Sequence, residues 1–483
     1  MLVAVWLAAA LASIDSAQLL LEAAKAWVVG HFDWLFVTVA NGAIAAVLLV
    51  ALHPSGKLRL GAADSRPEFG RLAWFAMLFS AGLASGLLYW ATAEPILHLQ
   101  ANPWLSEGSP SGVAVTTALR VTVLHWGIHG WAFYVLAGLA ISVHAHRHQR
   151  AITFRTAFYP LLGSSWIDRW PGRAIDLLAL LGTICGVATS IGLSAGSMNA
   201  TLSSLFSVEV GTSNQIAIIF TVCSLGILSA RSGLSRGIKR LSEVNLWVSG
   251  LLLASFFALG PTRYLLELML DTLIDYSVHV IPTGLWVGET VSERAWQADW
   301  TVFYWGWWLA WTPFVSLFIA RISKGRTLRE FAAAVLLVPT LVTLVWMVVL
   351  GGTAIAQEAA APGSLSEIVQ RDYSLGLVAV LGLLSSPAVS SVLIAVTAFL
   401  LFTWLITSLD SATLVICHLL GVEDLPAATV FWGLTLAAVA AVLLLAGGLG
   451  ALQAASIVIG LPLAGLMLIL TGSIVWDLLR GRI

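Results

Sequence analysis

Apolar runs of membrane-spanning length follow one another along this chain with only short polar breaks between them, and that succession constrains the fold more than any other feature. A helix that crosses a bilayer needs about 20 mostly apolar residues. On that template runs fall at 1–14, 34–52, 72–98, 114–143, 174–198, 214–230, 243–262, 300–320, 332–353, 388–417, 427–446 and 454–477. The expectation is an all-α polytopic membrane protein with about 12 transmembrane helices and no sizeable soluble domain. The first run is short for a span. No Lys or Arg precedes it, so it reads as a first helix clipped by a late start site rather than as the core of a signal peptide.

Composition agrees. Charged residues are 10% of the 483 and hydrophobic residues 59%, whereas a soluble domain spends about 25% on charge. A net charge of −1 excludes a basic nucleic-acid-binding face and an acidic solvating tail. The basic residues cluster at 57–71, 147–173, 231–240, 321–329 and 480–482, in alternate breaks, which predicts an inner-membrane protein with both termini cytoplasmic. Segment 263–283 differs from the spans: Glu267, Asp271 and Asp275 recur every four residues among Leu and Met, an amphipathic pattern suited to the interface or to the flank of a bundle. With seven residues after Trp476, a cytoplasmic sensor is not expected there. Cys185, Cys223 and Cys417 lie in apolar runs without CxxC spacing and read as core residues. No phosphate-binding GxxxxGK[ST] loop occurs, so ATP is not the expected direct driver.

Three stretches depart from plain membrane helix. Gly82-Leu83-Ala84-Ser85-Gly86 sits inside the third span, ahead of Glu94-Pro95. Its glycines serve either close helix packing or a locally unwound helix whose backbone groups, those of Ala84 and Gly86 among them, face a cavity. The second is aromatic. Of 22 Trp against 7 Tyr, interfacial belts that use both residue types explain only part. His125, Trp126, Trp131 and Tyr134 lie well inside one span, and Trp300, Tyr304, Trp305, Trp307, Trp308 and Trp311 crowd another. Trp307 with Trp311, and Tyr304 with Trp308, stand four apart and share helix faces. Indole faces converging on one point attract a cation with no N–H to donate, at about 0.5–2 kcal/mol per contact; the alternative is bundle packing. The third stretch, Trp404-x-x-Thr407-Ser408-x-Asp410-Ser411, places hydroxyls and a carboxylate at membrane depth. They either line an ion path or bond back to their own helix. His125 and His129 have metal-compatible i,i+4 spacing, but no third ligand is apparent and zinc is not expected.

These stretches resemble the betaine/carnitine/choline transporters. The run WTVFYWGWWLAWTPFVSLFIARISKGRTLRE from Trp300 to Glu330 is similar to that family's signature. Matches to MLFSAGLASGLLYWATAEP from Met77, LHWGIHGWAFY from Leu124, GTICGVATSIGL from Gly182, GPT from Gly260 and ITSLDS from Ile406 keep the family's order. The resemblance implies a LeuT-type fold. Residues 1–71 would hold two leading helices, 72–262 a first five-helix repeat, 263–299 the amphipathic connector, 300–477 a second repeat of inverted topology, and 478–483 a short tail. It also implies a homotrimer and secondary transport of a quaternary ammonium or related onium solute by alternating access, with Na+ as coupling ion and no organic cofactor.

Residue by residue, the resemblance implies an aromatic box of Trp126, Trp131, Tyr134 and Trp308, and a second cage of Trp305, Trp307 and Trp311. One Na+ would lie between carbonyls near Ser80, Ala81 and Leu83 and the hydroxyls of Thr407 and Ser408. A second ion site would correspond to Thr183 and Val187 with Phe314. The chain departs from the family at Gly82-Leu83-Ala84-Ser85, at Val187, which lacks a hydroxyl, and at Trp404, where Phe is usual. Gly86 replaces an Asp common in choline-type members, which leans toward a zwitterion such as glycine betaine. Competing expectations are proton coupling or sodium-independent exchange, and a membrane enzyme acting on choline headgroups with His125, His129 or Asp410 as its reactive groups.

Overall fold

Helices arise here because a backbone in hydrocarbon must satisfy its own N–H and C=O groups, and helix is what the apolar runs form. The computed structural model describes residues 2–62, 64–82, 85–105, 111–231 and 235–481, without the side chains of 2, 76, 79–82, 85 and 235–240. In chain order the α-helices are α1 (Leu2–Ala12), α2 (Ile14–Leu52), α3 (Arg71–Gly82), α4 (Ser85–Gln100), α5 (Ser111–Trp126), α6 (Ile128–Ser142), α7 (Tyr159–Trp166), α8 (Trp170–Phe206), α9 (Thr212–Arg231), α10 (Ser235–Leu259), α11 (Thr262–Gly284), α12 (Val291–Gln297), α13 (Phe303–Ile322), α14 (Leu328–Ala360), α15 (Ser366–Arg371), α16 (Gly376–Leu384), α17 (Pro387–Leu420) and α18 (Pro426–Leu479). Among the described residues nine helical segments are long and apolar enough to cross a membrane. Residues 71–100 run as the two shorter helices α3 and α4, and α18 departs from helical geometry at Gly447 (φ 157°) and Gly448 (φ 59°), between the two runs expected at 427–446 and 454–477.

Residues 15–33, expected as a connection, are instead part of the first half of α2, a single 39-residue helix. Their polar residues are good helix formers, and Gln18 donates to Glu22 one turn on at 2.8 Å. At about 1.5 Å per residue such a helix outruns the bilayer core and carries polar groups beyond it.

Helix α11 buries one apolar face and exposes a surface on which apolar residues stand beside the acidic Glu267 and Asp271. Leu265, Leu268, Thr272, Tyr276 and Val280 are buried, while Leu266, Leu270, Ile274 and Val278 are exposed. Trp27, Trp34 and Trp476 are likewise exposed, as interfacial residues should be. The core runs through α2, α4–α6, α8, α13, α14, α17 and α18, with Trp90, Trp131, Trp305 and Trp346 fully or almost fully enclosed.

The basic run after α13 is pinned to the segment between α2 and α3. Arg59 pairs with Thr327 in an antiparallel bridge. Arg326 donates to Glu330 (2.7 Å) and to the Phe69 carbonyl (2.6 Å), and its guanidinium lies 4.6 Å from the centre of the Trp74 ring.

Candidate functional site

Two helix breaks shape the site. α5 stops at Trp126, Gly127 leaves helical geometry (φ −98°, ψ −141°), and α6 starts at Ile128. The Ile128 N–H takes the Tyr276 hydroxyl of α11 as acceptor at 3.1 Å. A π-helical turn at Ala298–Val302 precedes α13, the kind of widened turn common at functional sites.

Around these breaks the rings of Trp126, Trp131, Tyr134 and Trp308 gather in the core, each no more than 4% exposed. The Trp308 ring centre lies 5.0 Å from Tyr134, 5.6 Å from Trp131 and 6.3 Å from Trp126, and Trp131 meets Tyr134 edge to face at 5.4 Å. Close approach is possible because residue 130 is glycine: a β-carbon there would collide with the Trp308 indole. Gly86 does the same for the next pair, since a β-carbon on it would lie 2.7 Å from Trp307 and 3.1 Å from Trp126.

The indole N–H groups are held from behind. Trp308 donates to the His125 carbonyl at 2.9 Å. Trp307 and Trp311 both donate to the Gly186 carbonyl of α8, at 3.2 and 2.9 Å, and the Ser190 hydroxyl donates to that same oxygen at 3.2 Å. Trp126 donates to Glu94 Oε2 at 2.9 Å. With their N–H groups occupied, these four rings present π faces, the surface that attracts a permanent cation.

Glu94 is the hub. It is fully buried; Oε2 also accepts the Tyr304 hydroxyl at 2.5 Å, while Oε1 accepts His125 Nδ1 at 2.7 Å and His98 Nε2 at 3.2 Å. Four donors on two oxygens suit an ionised carboxylate, which is acceptor-only. His125 Nε2 then faces Thr301 Oγ1 at 3.1 Å. Sequence reading noted Glu94 only as the partner of Pro95. The available signal was Glu94-x-x-x-His98, two polar groups four apart on one face of an apolar helix.

Other expectations change. Trp305 does not join Trp307 and Trp311: its ring stacks on His129 at 5.5 Å, because two positions along a helix turn a side chain to the far side, whereas Trp307 and Trp311 share a face. His125 and His129 part company as well. The break at Gly127 destroys the i,i+4 relation, and His129 turns to Asn41 at 3.4 Å. Trp404 pairs with Trp346 of α14 at 6.3 Å rather than with a ring of the box, among the described residues.

Of the residues expected to hold sodium, Leu83 lies outside the described residues, as do the side chains of Ser80 and Ala81; Ala84, expected to face the substrate, lies outside them too. Thr407 donates back to the carbonyls of Thr403 and Trp404 at 3.1 and 3.0 Å, and Ser408 is half-buried beside it. Asp410 accepts from Ser229 at 2.7 Å. Thr183 donates back to the Ala179 carbonyl at 2.8 Å, and Phe314 meets Trp311 edge to face at 5.3 Å.

Comparison with known proteins accords with this geometry. The family described as betaine/carnitine/choline family transporters matches residues 1–481. The chain is 37% identical to a glycine betaine transporter of Acinetobacter baylyi, over 100% of this chain and 72% of that one. It is 37% identical to glycine betaine transporter 1 of Vibrio parahaemolyticus, over 99% and 92%. An ectoine/hydroxyectoine transporter of Virgibacillus pantothenticus is 34% identical, over 94% and 89%. With its family match running almost end to end and its aromatic box buried in an all-helical bundle, the chain belongs to the betaine/carnitine/choline family of transporters.

Proposed function

We propose that this protein is a secondary active transporter that takes up a trimethylammonium zwitterion, glycine betaine first among them, by alternating access. The observation that carries the reading is the buried box of Trp126, Trp131, Tyr134 and Trp308. The ring faces, with the N–H groups of Trp126 and Trp308 tied back, suit a cation that cannot donate a hydrogen bond, and they release it more readily than a carboxylate would. The relatives named for glycine betaine support the choice of solute; the relative named for ectoine marks the nearest competitor. Gly86 supports the zwitterion over choline, because an Asp side chain has no space beside Trp307 and Trp126.

In this reading the chain crosses the membrane about twelve times, with both termini cytoplasmic and the basic breaks inside. Two leading helices precede a repeat over 72–262 and its inverted partner over 300–477, in a LeuT-type arrangement. Helix α11 lies along the flank, where its exposed apolar face suits a homotrimer contact. Uptake is driven by one Na+ held by carbonyls near Ser80, Ala81 and Leu83 and by the hydroxyls of Thr407 and Ser408. A second ion at Thr183 and Phe314 is not part of the proposal, since Val187 brings no oxygen beyond its backbone.

The test is uptake of labelled glycine betaine into proteoliposomes, with choline, carnitine, ectoine and dimethylsulfoniopropionate as competitors and Na+ replaced by K+. Sodium-dependent uptake, competed best by betaine analogues, is the expected result; undiminished uptake in K+ would remove sodium. The Thr407 geometry is compatible with either reading, sodium-driven uptake or sodium-independent exchange. Thr407 already spends its hydroxyl proton on its own helix, although its oxygen lone pairs can still face an ion.

A further inference from the structure

Glu94 Oε1, His98 Nε2 and His125 Nδ1 all lie within 4.8 Å of one another. Two nitrogens and a carboxylate oxygen on side chains that are fully buried form a donor set of the His2Glu kind that holds zinc with one position left open. We propose that this cluster, at the Glu94 end of the aromatic box, is a binding site for a divalent transition metal of the Zn2+ type.

Three features support it. First, both Glu94–His separations are close to those an ion needs, while the two histidine nitrogens, within 4.8 Å of each other, must draw in. Ligands at about 2.0–2.1 Å around a tetrahedral ion stand about 3.3 Å apart, and the two Glu94–His separations are 2.7 and 3.2 Å. Torsions of the three side chains supply the adjustment. Second, the outer side of the His125 imidazole suits the change of tautomer that metal binding requires. When His125 Nδ1 gives its lone pair to the ion, the ring proton moves to Nε2, where Thr301 Oγ1 stands 3.1 Å away to accept it; a partner behind a ligating histidine is the usual support of such sites. His98 Nδ1 is buried with no hydrogen-bond partner among the described residues, so a proton moved there breaks no bond on that side, and the metal bond must offset both the Glu94 contact and the donor left unpaired. Third, the two oxygens of Glu94 have separate tasks. The ion would take Oε1, and Oε2 would keep Trp126 and Tyr304. A metal would thus tether α4 to α5 without dismantling the box. The assignment does not rest on which solute the protein carries.

The test uses the full-length purified protein with any affinity tag removed, stripped by chelator and titrated with Co2+. The expected result is the intense visible absorption of four- or five-coordinate Co2+, abolished by Zn2+ and untouched by Mg2+. His98→Phe keeps a ring against Trp300, and His98→Gln keeps an N–H for Glu94. Each should weaken metal binding by about tenfold or more while eluting as wild type in gel filtration. A spectrum that stays that of hydrated Co2+ overturns the proposal. So does full-strength absorption in both His98 variants that disappears in His144→Phe, because His144 stacks with His148 at 5.5 Å elsewhere in the fold.

Discussion

Replacing Glu94 by Gln tests the hub of the site with the loss of one charge and almost no volume. In the native protein the carboxylate receives Trp126 Nε1, the Tyr304 hydroxyl, His125 Nδ1 and His98 Nε2. A hydrogen bond to a charged group contributes about 1.5–3 kcal/mol and a neutral one about 0.5–1.5 kcal/mol. If the amide oxygen keeps Trp126 and Tyr304, those two bonds together weaken by about 2–3 kcal/mol. The amide NH2 then faces two imidazoles, which must surrender their protons on that side. His125 can do so, because Thr301 accepts at Nε2. The fold should therefore survive, but Trp126 is no longer firmly held against the box. Loss of up to one cation–π contact, about 0.5–2 kcal/mol, corresponds to a rise in KM of about 2- to 30-fold. The assay is initial-rate uptake of labelled glycine betaine in proteoliposomes, beside a thermal melt of the purified variant. A stable, correctly eluting variant with wild-type KM and wild-type melting would show that Glu94 neither positions Trp126 nor anchors the core.

Other substitutions sort the aromatic residues. Trp308→Leu removes a ring in contact with three others and should lower betaine affinity by at least about tenfold, read by equilibrium binding; wild-type affinity would refute the box. Trp305→Phe should leave KM within about twofold, since its ring faces His129, and a tenfold loss would return it to the site. Gly86→Ala places a β-carbon against Trp307 and Trp126, and should lower affinity for betaine while gel filtration stays normal. Thr407→Ala combined with Ser408→Ala should raise the Na+ concentration needed for half-maximal uptake, whereas an unchanged sodium curve would eliminate those hydroxyls as ligands.

Much of the helical content was legible because the bilayer restricts backbone to so few forms: run length alone outlined most of the long helices. The first half of α2 escaped because Glu22, Lys25, His31 and Asp33 interrupt hydropathy without interrupting helix. Within the site, pairs four apart on one continuous helix were readable, as Trp307 and Trp311 show by meeting at one carbonyl. Trp305 was grouped with them by resemblance, against its angular position on α13. His125 and His129 misled for the opposite reason, since a single glycine between them ends one helix and begins another. The Glu94–His125 bond spans 31 positions, and no local period carries such a relation.

The Gly186 carbonyl accepts from Trp307, Trp311 and Ser190, yet a carbonyl oxygen has two lone pairs. Three donors share these places, so any one can leave with the oxygen still paired. Most buried groups in a helical bundle are single-partner contacts whose rupture leaves an atom stranded. Loss of one donor leaves this oxygen paired, so the penalty for moving Trp307 or Trp311 falls on the departing indole N–H and not on the carbonyl.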